Sequence, residues 1–520
     1  MPLASPQKRS PFSAVCSSFS SYCFFMNHAI QVTSEIGRLR RLLIHQPDEG
    51  IGKIVPRITD QLLYDDIVDL DKMRREYSEY MRILLCFLDP EQITGKANDV
   101  SYQQAVHDLS FDSDYVLTVE GLLRRILVNE DVKTLLVASV CAIEKCGLKT
   151  QKRLLETEPA ALAHTLITGI FPSAAGQEEF IFAPVPNLIF TRDIGITIHN
   201  HVLISKPYEA ARNRESLLFK YIAHFNLLNQ STRDDPDRLA DRVIELQEQD
   251  LFFFATEEER IRKRVSIEGG DVMMISPGHL LVGISERSSV MAIDYLVEHL
   301  FGKNIVQKVS VVKIPQRRSY MHIDTVFTQV RKDLWILFSP FSKHELLNRI
   351  KNFDFAGNLS AAHTGPVHNV EITQFLRQER ADGTYGVTVN RLPYLDDLFE
   401  QISCQDFGAD RCEIIPCAGG EFPYNEREQW TDACNFLAIR EGVVIGYDRN
   451  VKTEEEFRKR GFSIISSSSI IREVEEGKPV DEVVTGDTLI LLPSSELSRA
   501  RGGTHCMSMP LYREDVAIWV

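Results

Sequence analysis

The 520-residue chain lacks most of the patterns that assign a protein to a class at first sight. Its ten cysteines are scattered, no two of them have the Cys-x-x-Cys spacing, and no histidine cluster completes a zinc-binding pattern. No apolar run approaches the ~18 residues that a membrane span needs. Neither an internal repeat nor a low-complexity segment stands out. These absences predict reduced thiols in a reducing compartment and no membrane partner.

Basic residues are also in deficit. The chain has 58 Lys and Arg against 73 Asp and Glu, which gives a net charge of −15 at pH 7. This balance argues against a nucleic-acid partner and leaves small or cationic ligands open. The apolar fraction of 44% and the charged fraction of 25% are typical of a globular protein with a sizeable core.

The N-terminal segment differs from the rest of the chain. It carries Lys8, Arg9 and several serines, and it has no acidic residue before Glu35. This composition loosely fits an organelle transit peptide. The alternative is that translation starts at Met26 and that the preceding residues are a disordered tail. We predict a disordered extension over residues 1–33 and a cytoplasmic protein, with organelle targeting left open.

The remaining chain predicts an α/β or α+β protein with short mixed strands. Residues 39–45 are typical of a buried first strand. The apolar spacing over residues 68–170 is helical and predicts an inserted helical domain. Residues 229–264 are highly charged and predict a surface insertion. Strands and helices alternate elsewhere, except that residues 353–391 predict a long irregular stretch.

A segment near the C-terminus combines two adjacent glycines with Cys506. Adjacent glycines let the backbone adopt positive φ or approach a ligand closely, so a cysteine on such a loop is a candidate nucleophile. Taken alone, the segment fits a small buried hydrophobic residue equally well. Three earlier segments place carboxylates and an imidazole beside glycines or strand ends: Thr191-Arg192-Asp193, Glu268-Gly269-Gly270-Asp271 and His322-Ile323-Asp324.

Each of these segments also has an ordinary structural explanation: a strand-end cap, a tight turn or a satisfied polar pair. Together they supply a thiol, an imidazole and several carboxylates, which is the set that Cys/His covalent catalysis on a cationic substrate requires. A guanidinium group is planar and always charged, and carboxylates hold it in a bidentate manner. Attack on its central carbon needs a thiolate on one face and a proton donor for the leaving amine.

The four segments resemble the signature motifs of the arginine deiminase family. The resemblance follows family order over most of residues 34–520 and includes the helical insertion after the first strand module. It implies a catalytic five-bladed α/β propeller of the pentein type over residues 34–520, with an inserted helical domain. It also implies a homo-oligomer, either a dimer or a tetramer.

The resemblance further implies hydrolysis of L-arginine to L-citrulline and ammonia through a covalent S-alkylthiouronium intermediate, with no metal or organic cofactor. In this assignment Cys506 is the nucleophile, His322 protonates the departing ammonia and then activates water, and Glu268 orients His322. Asp193 and Asp324 hold the guanidinium nitrogens. The substrate-binding residues that the resemblance implies are Asn187, Arg212, Arg287, Arg501 and Asp271.

Several alternatives remain open at this stage. Agmatine deiminase, dimethylarginine hydrolase and amidinotransferases share the same chemistry, but agmatine has no carboxylate for Arg212 and Arg287 to bind. A non-catalytic arginine sensor would not need the thiol of Cys506. A Cys/His hydrolase of acyl substrates would leave the pair Asp193 and Asp324 without a role.

Overall fold

The computed structural model describes five stretches of the chain, and statements about the fold refer to these: residues 30–172, 178–228, 241–246, 264–351 and 370–516. Most of the predicted N-terminal extension lies outside the described residues, as does most of the predicted charged insertion. The last residues of the predicted extension are packed against the fold: Ile30 and Val32 are buried, and Val32 forms a β-bridge with His199.

The described residues form an α/β structure, as the sequence predicts, and the predicted first strand over residues 39–45 is confirmed as Leu39–Ile44. The strands are β1 (Leu39–Ile44), β2 (Val116–Thr118), β3 (Ile170–Pro172), β4 (Glu178–Phe180), β5 (Gly195–Ile198), β6 (His201–Ile204), β7 (Val243–Ile244), β8 (Val272–Ser276), β9 (His279–Ile284), β10 (Lys308–Lys313), β11 (Phe327–Arg331), β12 (Leu334–Leu337), β13 (Glu371–Glu379), β14 (Tyr385–Leu392), β15 (Glu413–Pro416), β16 (Leu437–Arg440), β17 (Val443–Tyr447), β18 (Ser463–Ser466), β19 (Thr488–Leu492) and β20 (Met509–Arg513).

Five sheets within the described stretches are built on one module, an antiparallel pair whose second strand pairs in parallel with a third. The modules are β5-β6-β7, β8-β9-β10, β11-β12-β15, β16-β17-β19 and β20-β1-β2. A parallel pair requires a long crossover, and the helix Val290–Gly302 connects β9 to β10 in this way. The fifth module joins the two ends of the described chain, because β20 pairs with β1.

The predicted irregular stretch and the predicted charged insertion both contain strands. Within residues 353–391, β13 and β14 form a long antiparallel hairpin that extends the sheet of β8-β9-β10, so the predicted irregular stretch is wrong over this part. Residues 352–369, with His363 and His368, lie outside the described residues. Within residues 229–264, β7 pairs with β6 and Ile244 is buried.

Helices pack on the sheets, and several of them occupy the segment that the sequence predicts as helical. The helix Leu70–Leu88 begins at Asp69, whose side chain accepts a hydrogen bond from the N–H of Lys72. This helix and Cys506 belong to one hydrophobic core. The α-helices are Thr59–Leu62, Leu70–Leu88, Val100–Asp108, Val119–Leu127, Glu130–Ile143, Leu148–Leu155, Pro159–Thr168, Asn213–Ile222, Val290–Gly302, Lys343–Lys351, Leu395–Gln401, Tyr424–Trp430, Val451–Lys459, Ser467–Glu475 and Val480–Val483.

The predicted helical domain is interrupted by β2, which pairs with β1, so these helices are tied directly into the first sheet. In the described stretches, none of the helices is long and apolar enough to cross a membrane.

Candidate active site

A short segment precedes the first strand of each module; four of these segments line one cavity, and the fifth contacts Cys506 beside it. Asp193 lies just before β5, and Glu268 begins the turn before β8. Asp324 lies before β11, Asn435 before β16 and Cys506 before β20. Residues far apart in the sequence are brought together because the five modules repeat the same connection.

Cys506 is buried, and its side chain has two polar contacts. Its Sγ atom lies 3.2 Å from Nδ2 of Asn435 and 3.4 Å from Oδ2 of Asp324. Its carbonyl accepts a hydrogen bond from the N–H of Arg192 at 3.1 Å, which ties the cysteine loop to the turn that carries Asp193. Burial and then the carboxylates of Asp324 and Asp193 raise the pKa of Cys506 well above its usual value. The thiol is therefore protonated until a cation enters the site.

His322 lies between two carboxylates. Its Nε2 atom is 3.1 Å from Oε2 of Glu268, and its Nδ1 atom is 3.7 Å from Oδ1 of Asp193. Burial opposes the charge on the ring, but these carboxylates outweigh it and raise the pKa of His322 to about 10. The pKa of Glu268 is lowered to about 2, because burial is outweighed by His322 and Arg212. His322 is therefore placed to act as an acid.

Arg212 connects several acidic groups of the site. Its Nη1 atom lies 2.7 Å from Oδ2 of Asp193 and 3.4 Å from Oε2 of Glu268. Its Nε atom donates to Glu215 at 2.8 Å, and its Nη2 atom donates to the carbonyl of Asn187 at 3.2 Å. All of its nitrogens are thus engaged within the protein, although the sequence predicts that Arg212 binds substrate.

Asp324 is held by a buried chain of charged groups. Its Oδ2 atom accepts a hydrogen bond from Nδ1 of His505 at 2.9 Å, and Nε2 of His505 lies 3.2 Å from Glu35. Glu35 in turn contacts both terminal nitrogens of Arg192 at 3.2 Å. Both ring nitrogens of His505 therefore face carboxylates. Burial is outweighed by His505, so the pKa of Asp324 is lowered.

These groups border a cavity whose empty space, including the part open to solvent, is about 410 Å³. Most of the residues that the sequence predicts for catalysis and substrate binding line it: Asn187, Asp193, Arg212, Glu268, Arg287, His322, Arg501 and Cys506. Leu63, Phe190, Arg318, Met321, Thr325 and Ala500 complete the lining.

Four of the charged residues have buried atoms without a hydrogen-bond partner. These are Oδ1 of Asp193, Oδ1 of Asp324, and the Nε and Nη1 atoms of both Arg287 and Arg501. The guanidinium of Arg501 also stacks on the ring of Trp430 at 3.3 Å from its centroid. Buried polar atoms without hydrogen-bond partners are costly, so their presence in one region is consistent with a ligand that has a cationic and an anionic end.

Asp271 occupies a different environment from the other predicted substrate-binding residues. Its Oδ1 atom accepts a hydrogen bond from the N–H of Ile323 at 3.0 Å, and its Oδ2 atom accepts one from Ser285 at 2.5 Å. It does not line the cavity, and burial raises its pKa to about 7. Asp271 therefore fixes the backbone beside His322, and its contact with substrate stays a prediction.

The sequence analysis gives no role to several residues of the site. Asn435 and His505 contact Cys506 and Asp324 directly, while Glu35 holds His505. Arg318 lines the cavity and donates to the carbonyl of Leu63 at 2.7 Å. Only His505 lies in a segment that the glycine pattern marks, and nothing in the sequence distinguishes the others from ordinary surface or core positions.

Three of the site residues could together bind a metal ion. Asp193, Glu268 and His322 each offer a ligand atom within 4.8 Å of the others. A metal ion binds the neutral imidazole, whereas the raised pKa of His322 favours its protonated form. The arrangement suits a proton shared between His322 and the carboxylates better than a metal ion.

The glycine pair between Glu268 and Asp271 allows close packing at His322. A Cβ atom on Gly269 would lie 2.0 Å from the carbonyl oxygen of Arg192, and one on Gly270 would lie 2.6 Å from Nδ1 of His322. We expect Gly270→Ala to displace the His322 ring and lower kcat roughly 100-fold, since a misplacement of about 1 Å has effects of that size.

The measurement for this prediction is kcat with arginine together with the melting temperature. Gly278→Ala is the matched control, because a Cβ atom there has its nearest neighbour at 3.9 Å. An unchanged kcat in Gly270→Ala would contradict the proposed role of this close contact.

Comparison with known protein families places the chain among guanidine-modifying enzymes. A family model described as arginine deiminase matches residues 148–513. The arginine deiminase of Bacillus cytotoxicus is 29% identical over 501 residues, which cover 94% of this chain and 100% of that protein. The arginine deiminase of Borreliella afzelii is 28% identical over 496 residues, which cover 94% of this chain and 98% of that protein.

Solved structures show more distant likenesses. An amidinotransferase, SxtG from Microseira wollei in the saxitoxin biosynthetic pathway, aligns with a TM-score of 0.42 and 10% identity, covering 94% of this chain and 99% of that chain. A dimethylarginine dimethylaminohydrolase adduct aligns with a TM-score of 0.39 and 11% identity, covering 91% and 99%. Since the family model matches well over half of the sequence, the chain belongs to the arginine deiminase family.

Proposed function

We propose that the protein hydrolyses L-arginine to L-citrulline and ammonia. The observation that carries this proposal is a set of buried atoms without hydrogen-bond partners: a carboxylate oxygen of Asp193 and guanidinium nitrogens of Arg287 and Arg501, which line the cavity, and a carboxylate oxygen of Asp324, which contacts Cys506 beside it. A guanidinium group complements the two carboxylates, and an α-carboxylate complements the two arginines. Free arginine carries both groups, and the names of the family and of its relatives agree with this substrate.

The first half of the reaction forms a covalent bond to Cys506. Burial and carboxylates keep the thiol protonated in the free site. A guanidinium bound between Asp193 and Asp324 brings a positive charge beside Sγ, which favours loss of the thiol proton to solvent. The thiolate attacks the central guanidinium carbon, His322 donates a proton to the leaving nitrogen, and ammonia departs. The product is an S-alkylthiouronium adduct.

The second half of the reaction returns the enzyme to its starting state. His322 is neutral after its proton transfer and takes a proton from water, which then attacks the adduct carbon. The C–S bond breaks, citrulline leaves, and Cys506 regains its thiol. Glu268, at 3.1 Å from Nε2 of His322, keeps the ring oriented and stabilises its cationic form in both halves.

In the fold that we propose, the five modules stand around a common axis as a five-bladed α/β propeller of the pentein type. The support is that the segments before the first strands of four modules contribute lining residues to the same cavity, and the segment before β16 contributes Asn435, which contacts Cys506. The sheets remain separate in the described stretches, so such a ring would form by packing of blades rather than by closure of one sheet.

The cysteines bear on the cellular context that we propose. Every cysteine in the described ranges has a free thiol, which agrees with a reducing compartment such as the cytoplasm. A homo-oligomer, either a dimer or a tetramer, remains the expectation from the family resemblance, and light scattering of the purified protein would measure it.

The test of the proposed function is a product assay with purified protein. L-Arginine, agmatine and an Nω-methylated arginine are supplied separately, and citrulline and ammonia are measured. Citrulline and equimolar ammonia from arginine alone would support a deiminase. Turnover of another guanidine would change the substrate, and transfer of the amidino group to added glycine would indicate an amidinotransferase. Arginine binding without any turnover would indicate a sensor.

Arg287 provides a sharper test of the substrate's anionic end. We expect Arg287→Ala to lower kcat/KM for arginine about 100-fold, because a buried charge pair with the substrate carboxylate is lost. Residual turnover of agmatine, which lacks that carboxylate, should change less than about 3-fold. Arg377→Ala is a control outside the cavity lining. Equal losses with arginine and agmatine would remove the carboxylate-binding role.

A further inference from the structure

We propose that Asn435 is a further catalytic residue, whose side-chain amide directs Cys506 and stabilises its thiolate. The contact between Asn435 and the sulfur of Cys506 is seen in the structure. The effect of this contact on turnover rests on the proposed arginine hydrolysis. Asn435 lies in none of the four segments that the sequence analysis marks.

The side-chain amide of Asn435 forms hydrogen bonds with both the backbone N–H and the Sγ atom of Cys506. Its Oδ1 atom accepts a hydrogen bond from the backbone N–H of Cys506 at 3.1 Å. Its Nδ2 atom donates to Sγ of Cys506 at 3.2 Å and to the carbonyl of Asp324 at 3.1 Å. The orientation of the amide follows from these partners, because a backbone N–H must face an oxygen and a carbonyl must face an NH₂ group.

Among its described polar contacts, Sγ of Cys506 accepts a hydrogen bond from Asn435 only, and several acidic groups lie nearby. The other described polar contact of Sγ is Oδ2 of Asp324 at 3.4 Å, which is an acceptor and disfavours a negative sulfur. A hydrogen bond donated to the charged form of a group favours that form. The N–H of Asn435 therefore stabilises the thiolate as it forms. The titratable groups around Cys506 include Asp193, Asp324, Asp432, Tyr80 and Tyr447, and His322 and Arg501 face it across the cavity that all three residues line.

The cysteine loop is also shaped around Asn435. A Cβ atom on Gly503 would lie 2.6 Å from Oδ1 of Asn435 and 2.7 Å from its carbonyl oxygen. The backbone N–H of His505 donates to the same carbonyl at 3.5 Å. Gly503 is therefore needed because the loop must approach Asn435 closely. The glycine that marks the loop in the sequence thus has a physical cause in Asn435.

The position of Asn435 within the fold supports the same role. It lies in the segment before β16, as Asp193 lies before β5, Asp324 before β11 and Cys506 before β20. In the other modules, this segment supplies a residue that contacts substrate, sulfur or His322 in the proposed reaction. Asn435 is the corresponding contribution of the β16 module.

The test compares Asn435→Asp with wild type, because this change keeps the shape of the side chain and replaces the Nδ2 donor by an oxygen. We expect alkylation of Cys506 by iodoacetamide at pH 7 to slow at least about 10-fold, with its pH midpoint shifted upward. We also expect kcat for arginine to fall roughly 10²- to 10³-fold with KM changed less than about 3-fold, as for loss of one preorganised donor. Alkylation at Cys506 is identified by peptide mass spectrometry.

Asn425→Asp is the matched control. Asn425 is buried and has the same pattern of contacts, since its Oδ1 accepts from the N–H of Glu426 at 2.8 Å and its Nδ2 donates to Ser339 at 3.2 Å. It does not line the cavity. In the Asn425→Asp variant, the alkylation rate of Cys506 and kcat should stay within about 3-fold of wild type. The reason is that this change removes the donor to Ser339 and leaves the contacts of the Cys506 sulfur intact.

If Asn435→Asp does not fold, a second variant tests the role of the Asn435 amide. Asn435→Ala removes the same donor without adding a charge, and its alkylation should also slow. An alkylation rate equal to wild type in a folded Asn435 variant would overturn the proposal, even if kcat fell. If the wild-type protein released no citrulline, the proposed function would fail, and the alkylation rates alone would decide the role of Asn435.

Discussion

Replacing Cys506 by alanine is expected to lower arginine turnover about 10⁴-fold or more while the protein still folds and binds arginine. The loss is large because no other described thiol lines the cavity, and removal of a covalent nucleophile has effects of this order. Arginine binding survives because the partners expected for its guanidinium and carboxylate ends remain in place. The measurements are citrulline release and arginine binding by calorimetry.

The control for this variant is Cys86→Ala. Cys86 is fully buried in the helix Leu70–Leu88 and does not line the cavity. We expect it to lose stability, by about 1–2 kcal/mol for a small cavity, and to keep its kcat. Near-normal turnover by Cys506→Ala would show that the proposed covalent route is wrong.

Replacing Asp324 by asparagine is expected to have two effects of opposite sign. The kcat/KM for arginine should fall about 10³-fold, because a buried guanidinium loses a charged partner. Alkylation of Cys506 by iodoacetamide should become faster at neutral pH. The reason is that the Asp324 carboxylate lies 3.4 Å from Sγ and is, after burial, the largest cause of the raised pKa of Cys506.

General damage to the site would lower kcat/KM without making alkylation faster. A fall in kcat/KM together with faster alkylation would therefore identify an electrostatic effect. Asp406→Asn is the control, since Asp406 pairs with His279 at 2.5 Å and Lys308 at 2.7 Å and lies outside the cavity lining. Melting temperatures exclude unfolding as the cause of faster alkylation. Slower alkylation in a folded Asp324→Asn variant would contradict the inferred influence of this carboxylate on the thiol.

The site residues that can be identified from the sequence alone share local features of their neighbouring residues. Cys506 follows a glycine pair and Glu268 precedes one. The sequence predicts that Asp193 lies at the end of an apolar strand, but Asp193 and Asp324 lie in 3₁₀ turns that precede strands. In the structure these features have one cause, because backbone segments approach each other closely at the starts of strands. Gly270 packs against the His322 ring for this reason.

Neighbouring residues in the sequence do not identify Asn435 or Glu35 as site residues. Asn435 stands in a turn without a glycine pair, and Glu35 precedes the first strand, 470 residues before the His505 that it contacts. Their roles arise from contacts between modules, which local composition does not encode. Arg212 illustrates a related limit, because the sequence cannot show that its guanidinium is already paired with Asp193 and Glu215.

The sequence by itself determined the α/β class and the inventory of thiol, imidazole and carboxylates, because residue type and neighbouring glycines are local properties. The tertiary structure alone decided which of these groups keep unpaired atoms at the cavity and which are neutralised by a partner. It does so because burial and pairing depend on how the segments before the first strands converge. That convergence places the unpartnered oxygens of Asp193 and Asp324 and the unpartnered nitrogens of Arg287 and Arg501 in one region.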